Sequence, residues 1–166
     1  MRPDKDKYYL GIAKAVAKRS PCLRRRFGAV IVVNDSIVST GYNGPARGVI
    51  NCEEVGCAKD ILKLPSYAAY DVCPAVHAEE NAVINAARNG AKVLNGRLYI
   101  YGETKDGKPT PSHPCDRCKR VLINAGITQV ITESEDGRIV VYDVEKWKDY
   151  DTDNYKKIVE KAKKQR

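Results

Sequence analysis

The chain has 166 residues, 43 % of them hydrophobic, and a net charge of +8. That length suits one domain, at roughly 100–200 residues each, and residues 1–166 are taken as a single domain. The apolar content suffices for a core, while runs such as Ala29 to Val33 are far too short to cross a bilayer, which takes about 20 residues.

The N-terminus, Met1 to Asp6, leads into no apolar signal region. Six cysteines in such a chain point to thiolates and metal, not disulfides, and so to a cytoplasmic protein with no membrane association. Much of the positive charge lies in Lys156, Lys157, Lys161, Lys163, Lys164 and Arg166 at the end. A solvated surface accounts for it. A phosphorylated small molecule is the next reading and nucleic acid the weaker one, since clustered Lys and Arg steer either.

Lys7 to Arg19 predicts an amphipathic helix, with Tyr9, Ile12, Ala13, Val16 and Ala17 at helical spacing, ended by Ser20-Pro21. Ala29 to Asn34 and Ile37 to Tyr42 are β-branched runs joined by a short turn at Asp35-Ser36. Gly41-Tyr42-Asn43-Gly44-Pro45 breaks into loop, and the stretch to about Pro74 is irregular. Val76 to Asn89 predicts a second helix, with Ala82, Val83, Ala86 and Ala87 as its apolar face and Asn89-Gly90 as its stop. A strand follows at Arg97 to Tyr101, then a proline-rich loop, Lys105 to Pro114, and a helix from Asp116 to Asn124. Gln129 to Thr132 is the next strand. Asp136-Gly137 turns into Arg138 to Tyr142, and Asp153 to Lys164 predicts a terminal helix. Without repeat or linker, this pattern is one α/β domain.

The chemistry concentrates in His77-Ala78-Glu79 and Pro114-Cys115-Asp116-Arg117-Cys118. One His and two Cys can hold a Zn²⁺ and leave its fourth position open, as catalytic zinc sites do. Both halves fall at helix starts, where unpaired N–H groups and the dipole favour anions. Glu79, two residues from His77, is placed to move protons, as a general acid/base does. Its bland alternative is helix-start charge. His113, the second histidine, is expected not to ligate.

This H-x-E…P-C-x-x-C pattern is the signature of zinc nucleobase deaminases. From Tyr8 to Thr132 the chain resembles the deoxycytidylate (dCMP) deaminases of the cytidine deaminase superfamily. The resemblance is carried by Ser20-Pro21-Cys22-Leu23-Arg24-Arg25, Phe27 to Val32, Ser39-Thr40-Gly41-Tyr42-Asn43-Gly44, the two zinc motifs, and Ile123-Asn124-Ala125-Gly126-Ile127. It implies a three-layer α/β/α fold with a central mixed five-stranded sheet. It also implies hydrolysis of dCMP to dUMP and ammonia, and a homo-oligomer, hexamer or dimer. By the same resemblance Asn43 contacts the sugar-phosphate, dCTP and dTTP are possible effectors, and Tyr42, Gly44 and Arg88 are candidates for effector or subunit contacts. Ala78 joins Asn43 as a substrate-contacting candidate. The loop Tyr101 to Pro109 departs from the family in being longer and more polar.

Cys22, Cys52, Cys57 and Cys73 lie in loops or at loop edges outside the catalytic motif. Small buried hydrophobes are one reading; four thiolates closing a structural zinc, known in related deaminases, are the other. A monophosphate needs fixed donors. Arg24, Arg25, Arg26, Arg47 and Arg88 are candidates, with Arg26 and Arg47 preferred, and three adjacent arginines cannot all point one way on an extended segment. The competing functions are a deaminase of cytidine, CMP, a pterin-like or riboflavin precursor, or a base in tRNA or single-stranded DNA. A non-catalytic zinc-stabilised module is the third class.

Overall fold

Every residue from Gly28 to Val32 is buried, although successive side chains on a strand point to opposite faces. Unbroken burial therefore requires cover on both sides of the sheet. The computed structural model, which describes residues 1–66 and 68–165, supplies it. Arg166 of the basic tail lies outside the described residues.

In chain order the elements are α1 (Lys5–Ala17), β1 (Arg25–Val33), β2 (Ser36–Tyr42), β3 (Gly44–Pro45), α2 (Cys52–Val55), α3 (Ala58–Ile61) and β4 (Ala75–Val76). There follow α4 (Ala78–Arg88), β5 (Arg97–Thr104), α5 (Asp116–Ala125), β6 (Gln129–Glu133), β7 (Ile139–Asp143) and α6 (Glu145–Lys163). The five-stranded sheet has the order β2-β1-β5-β6-β7. It is mixed, with β5 and β6 parallel and the other pairs antiparallel. Ala29, Ile31, Leu98, Ile100 and Val130 face Ala78, Ala82, Leu122 and Trp147 of α4, α5 and α6. Val30, Val32, Tyr99, Tyr101 and Ile131 face Tyr9, Leu10, Ala13 and Ala17 of α1. The three-layer α/β/α expectation holds.

Some boundaries differ from the sequence reading. β1 begins at Arg25, not Ala29, and β5 runs to Thr104, because antiparallel pairing of Arg25 with Thr104 and Arg26 with Glu103 holds polar residues in the ladder. The last helix begins at Glu145, not Asp153. Trp147 buries its ring there, and Arg120 grips Asp151 through two hydrogen bonds of 3.0 and 2.9 Å.

Helix α4 is locked to the edge strand β2. Ser39 Oγ donates to the Ala82 carbonyl (2.6 Å), Asn85 Nδ2 to Thr40 O (2.8 Å) and Asn81 Nδ2 to Tyr42 O (2.8 Å). Gly41 permits this approach, since a Cβ there would overlap the backbone of Ala78, Asn81 and Ala82.

Candidate active site

Two helix starts converge on one point. His77 is the residue before α4, and Cys115 the residue before α5. Cys118 lies in the first turn of α5 and is fully buried. His77 Nδ1 is 3.5 Å from Cys115 Sγ and 3.3 Å from Cys118 Sγ. A tetrahedral zinc with bonds of ~2.05 Å to nitrogen and ~2.3 Å to sulfur sets N and S about 3.6 Å apart, so the donor set fits the ion. Among the described residues, these are the group of three or more His, Cys, Asp or Glu whose donor atoms all lie within 4.8 Å.

The electrostatics suit a cation. Cys115 is held far down, at about 3, first by the Cys118 hydrogen bond. Cys118 is pushed up, first by that same bond. Two thiols thus share a proton beside helix N-termini, where a thiolate is favoured. His77 is raised, first by its bond to Cys115. Glu79 is 5 % exposed, and burial is the main cause pushing its carboxyl up to about 7.

Glu80 and Arg117 brace the two ligand helices. Glu80 Oε2 accepts the His77 N–H at 3.0 Å. Arg117 donates to both oxygens of Glu80 at 3.0 Å, the bidentate geometry that fixes orientation as well as distance. Sequence reasoning missed this pair, although Glu80 at the third helical position is a recognisable capping signal. It also missed Tyr70, whose ring lies 5.6 Å from the His77 ring. Burial, then the charge and hydrogen bond of Cys115, pushes its hydroxyl up to about 12. No spacing in the sequence announced that contact.

A cavity of about 140 Å³ opens here, lined by His77, Ala78, Glu79 and Cys115 together with Asn43 and His113. A larger groove of about 600 Å³ lies away from the donors, along the loop of Tyr42, Gly44 and Arg47. Size does not decide between them; the cavity with the donors and the buried acid holds the chemistry.

The remaining site candidates separate. Asn43 spends its amide on β1, accepting from Phe27 N–H (2.7 Å) and donating to Arg25 O (3.0 Å). Of the arginines, Arg24 and Arg25 line the cavity. Arg26 instead lies 3.6 Å from Glu53, and Arg47 donates to Asn85 Oδ1 at 2.7 Å. Neither preferred arginine therefore lines the cavity: Arg26 follows Arg25 in β1 and points to the opposite face, and Arg47 is held by Asn85. Arg88 ends α4 and does not line the groove of Tyr42 and Gly44.

The other four cysteines are half-buried and unbridged. Cys52 is raised, first by burial and then by Cys22, Cys57 and Cys73, so the four thiols share a neighbourhood. No three of them reach the 4.8 Å spacing of the His77 group, where a closed sulfur tetrahedron needs about 3.8 Å.

Residues 3–134 match the family described as cytidine and deoxycytidylate deaminase zinc-binding region. The chain is 36 % identical over 130 residues to the deoxycytidylate deaminase of Schizosaccharomyces pombe, covering 78 % of itself and 37 % of that protein. It is 34 % identical over 139 residues to that of Mycobacterium phage D29, covering 81 % and 98 %. The chain therefore spans about a third of one curated relative and nearly all of the other. The dCMP deaminase of cyanophage S-TIM5, solved with dCMP and dUMP, superposes over 80 % of this chain and 83 % of its own, with a TM-score of 0.58 and 25 % identity.

Proposed function

The chain belongs to the cytidine and deoxycytidylate deaminase zinc-binding family, and from that premise we propose that it hydrolyses dCMP to dUMP and ammonia. The observation that carries the reading is the buried Glu79 in one cavity with His77, Cys115 and Cys118. The phage D29 and S-TIM5 relatives, named as dCMP deaminases, support the nucleotide substrate.

His77, Cys115 and Cys118 would hold the Zn²⁺, which as a Lewis acid would supply a water with its pKa lowered to about 7. Glu79 accepts a proton from the attacking water and delivers it to the pyrimidine ring nitrogen. The C4–O bond forms as this happens. Glu79 then carries the second proton to the exocyclic nitrogen, and the C4–N bond breaks to release ammonia. Ala78, between ligand and acid, borders the same cavity and shapes the seat of the base. Phe27 and Ile100 wall it with apolar surface, which keeps bulk water from competing.

The reading extends to residues 1–166 as one deaminase domain, supported by a single large sheet with a core on each face. It includes a second, structural zinc on Cys22, Cys52, Cys57 and Cys73, supported by their shared neighbourhood. It includes a homo-oligomer, with dCTP or dTTP bound along the groove of Tyr42 and Gly44. A cytoplasmic location is supported by six cysteines with no bridge among them. No helix among the described residues is long and apolar enough to cross a membrane.

One ammonia-release panel tests the substrate: dCMP, CMP, cytidine, deoxycytidine and a tRNA anticodon stem-loop. dCMP is expected to exceed deoxycytidine by at least ~100-fold, about the 2.7 kcal/mol of one or two charge-assisted hydrogen bonds. Equal use of the nucleoside removes the nucleotide assignment and leaves the zinc deaminase standing.

A further inference from the structure

Arg24, Arg25 and Lys59 are the Lys and Arg side chains that line the cavity beside Glu79. Their partners distinguish them. Arg24 Nε lies 3.1 Å from Asp60 Oδ1, so its charge is answered within the protein. Arg25 has a contact of its own. Lys59 is only 8 % exposed, yet among the described residues its ammonium has neither a carboxylate nor a hydrogen-bond acceptor. What it has is the Tyr70 ring, whose centroid is 5.1 Å from Nζ.

A ring face attracts a cation but offers no hydrogen-bond acceptor, and the Lys59 stem is packed away while its ammonium faces the cavity. Three N–H donors are left without acceptors. Such a group inside a cavity is a seat for an anion. Its placement fits the substrate: the Tyr70 ring stands beside both Lys59 and the metal-ligand cluster, 5.6 Å from the His77 ring and 5.1 Å from the Arg117 guanidinium that braces it. The anion seat therefore stands at a fixed offset from the point where the base reacts.

We propose that Lys59, held over Tyr70, binds the phosphate of the nucleotide and so separates nucleotide from nucleoside; this rests on the dCMP reading above. The local fold supports a fixed position. Cys57 caps helix α3 and its carbonyl accepts from Asp60 and Ile61 (3.1 and 3.0 Å), while the Lys59 carbonyl accepts from Leu64 (2.8 Å). Tyr70 lies three residues before Cys73. The segment bounded by these cysteines thus carries both the cation and the ring that orients it.

The test uses Lys59→Met, which keeps the apolar stem, and Lys59→Arg, which keeps the charge. Steady-state kinetics with dCMP and deoxycytidine read the ratio of the two kcat/KM values. Calorimetric titration with inorganic phosphate reads the anion seat directly. Lys59→Met is expected to lower the ratio at least tenfold through the KM for dCMP and to abolish phosphate binding, and Lys59→Arg to retain most of both. An unchanged ratio, or equal losses on both substrates with phosphate binding intact, overturns the proposal. Should the wild type not deaminate dCMP, the dCMP reading falls and the titration decides alone. Phosphate binding that Lys59→Met abolishes then keeps the anion seat, and binding that survives it, or is absent from the wild type, removes it.

Discussion

Glu79 occupies the second position of α4, buried among metal donors, where a carboxylate has no solubility role to play. A general acid/base contributes about 10²–10⁴ in rate. Glu79→Gln keeps the shape and the three donors but cannot shuttle protons. It is expected to lose at least ~100-fold in kcat with unchanged zinc content; turnover within about tenfold of the parent would refute the role. This residue and the three ligands were legible because their chemistry is local: each lies within three residues of a helix start that the sequence itself marks. Lys59, Tyr70 and Arg117 were not. Their significance arises from contacts between segments, and nothing in the irregular stretch before Pro74 fixes where a side chain will land. The three adjacent arginines illustrate the same limit, since Arg24 lies before the strand and lines the cavity together with Arg25, which strand alternation alone does not give.

At the scale of elements, the Gly-Tyr-Asn-Gly segment acquires a structural explanation beside any functional one. Gly41 lets α4 lie on β2, the Tyr42 carbonyl takes Asn81, and the Asn43 amide ties the loop to β1. These contacts set the position of the helix that presents His77 and Glu79. Gly41→Ala must push α4 outward against backbone atoms that cannot rotate away. Overpacking of this kind costs about 1–3 kcal/mol. Gly11 offers the contrast: it lies within α1, where an added Cβ meets nothing within 4 Å. Gly11→Ala is expected to stabilise by up to about 1 kcal/mol. Denaturation midpoints of the two variants should therefore move in opposite directions, and Gly41→Ala should also reduce zinc occupancy. A Gly41→Ala protein as stable as the parent would show that the helix is positioned by other contacts. The strands and helices were legible where apolar period and burial coincide. The first residues of β1 and the last of β5 were hidden because ladder pairing holds polar residues there, Glu103 among them although it is buried, and no apolar period marks them.

For the whole molecule, organisation turns on what holds the described residues of 46–75, which contain two single-turn helices, α2 and α3, and are bordered by the two-residue pairing of β3 with β4. Burial offers little: Ile50, Val55, Ile61 and Leu62 are all exposed. A segment this poor in apolar contacts needs another restraint, and the proposed structural zinc supplies one, since a closed site contributes folding energy outright. The four thiols already share a neighbourhood, and closing to about 3.8 Å requires only that they draw together as their protons leave. Metal analysis of the purified protein should then find two zinc ions per chain. Cys52→Ser with Cys73→Ser should remove one of them, and limited proteolysis should become faster within residues 46–75 while His77, Cys115 and Cys118 keep theirs. Because that segment also presents Lys59 and Tyr70, the same double variant should weaken dCMP more than deoxycytidine. A single zinc that survives both substitutions would make these cysteines small core residues and leave the segment's order to the ion pairs of Arg24 with Asp60 and Arg26 with Glu53.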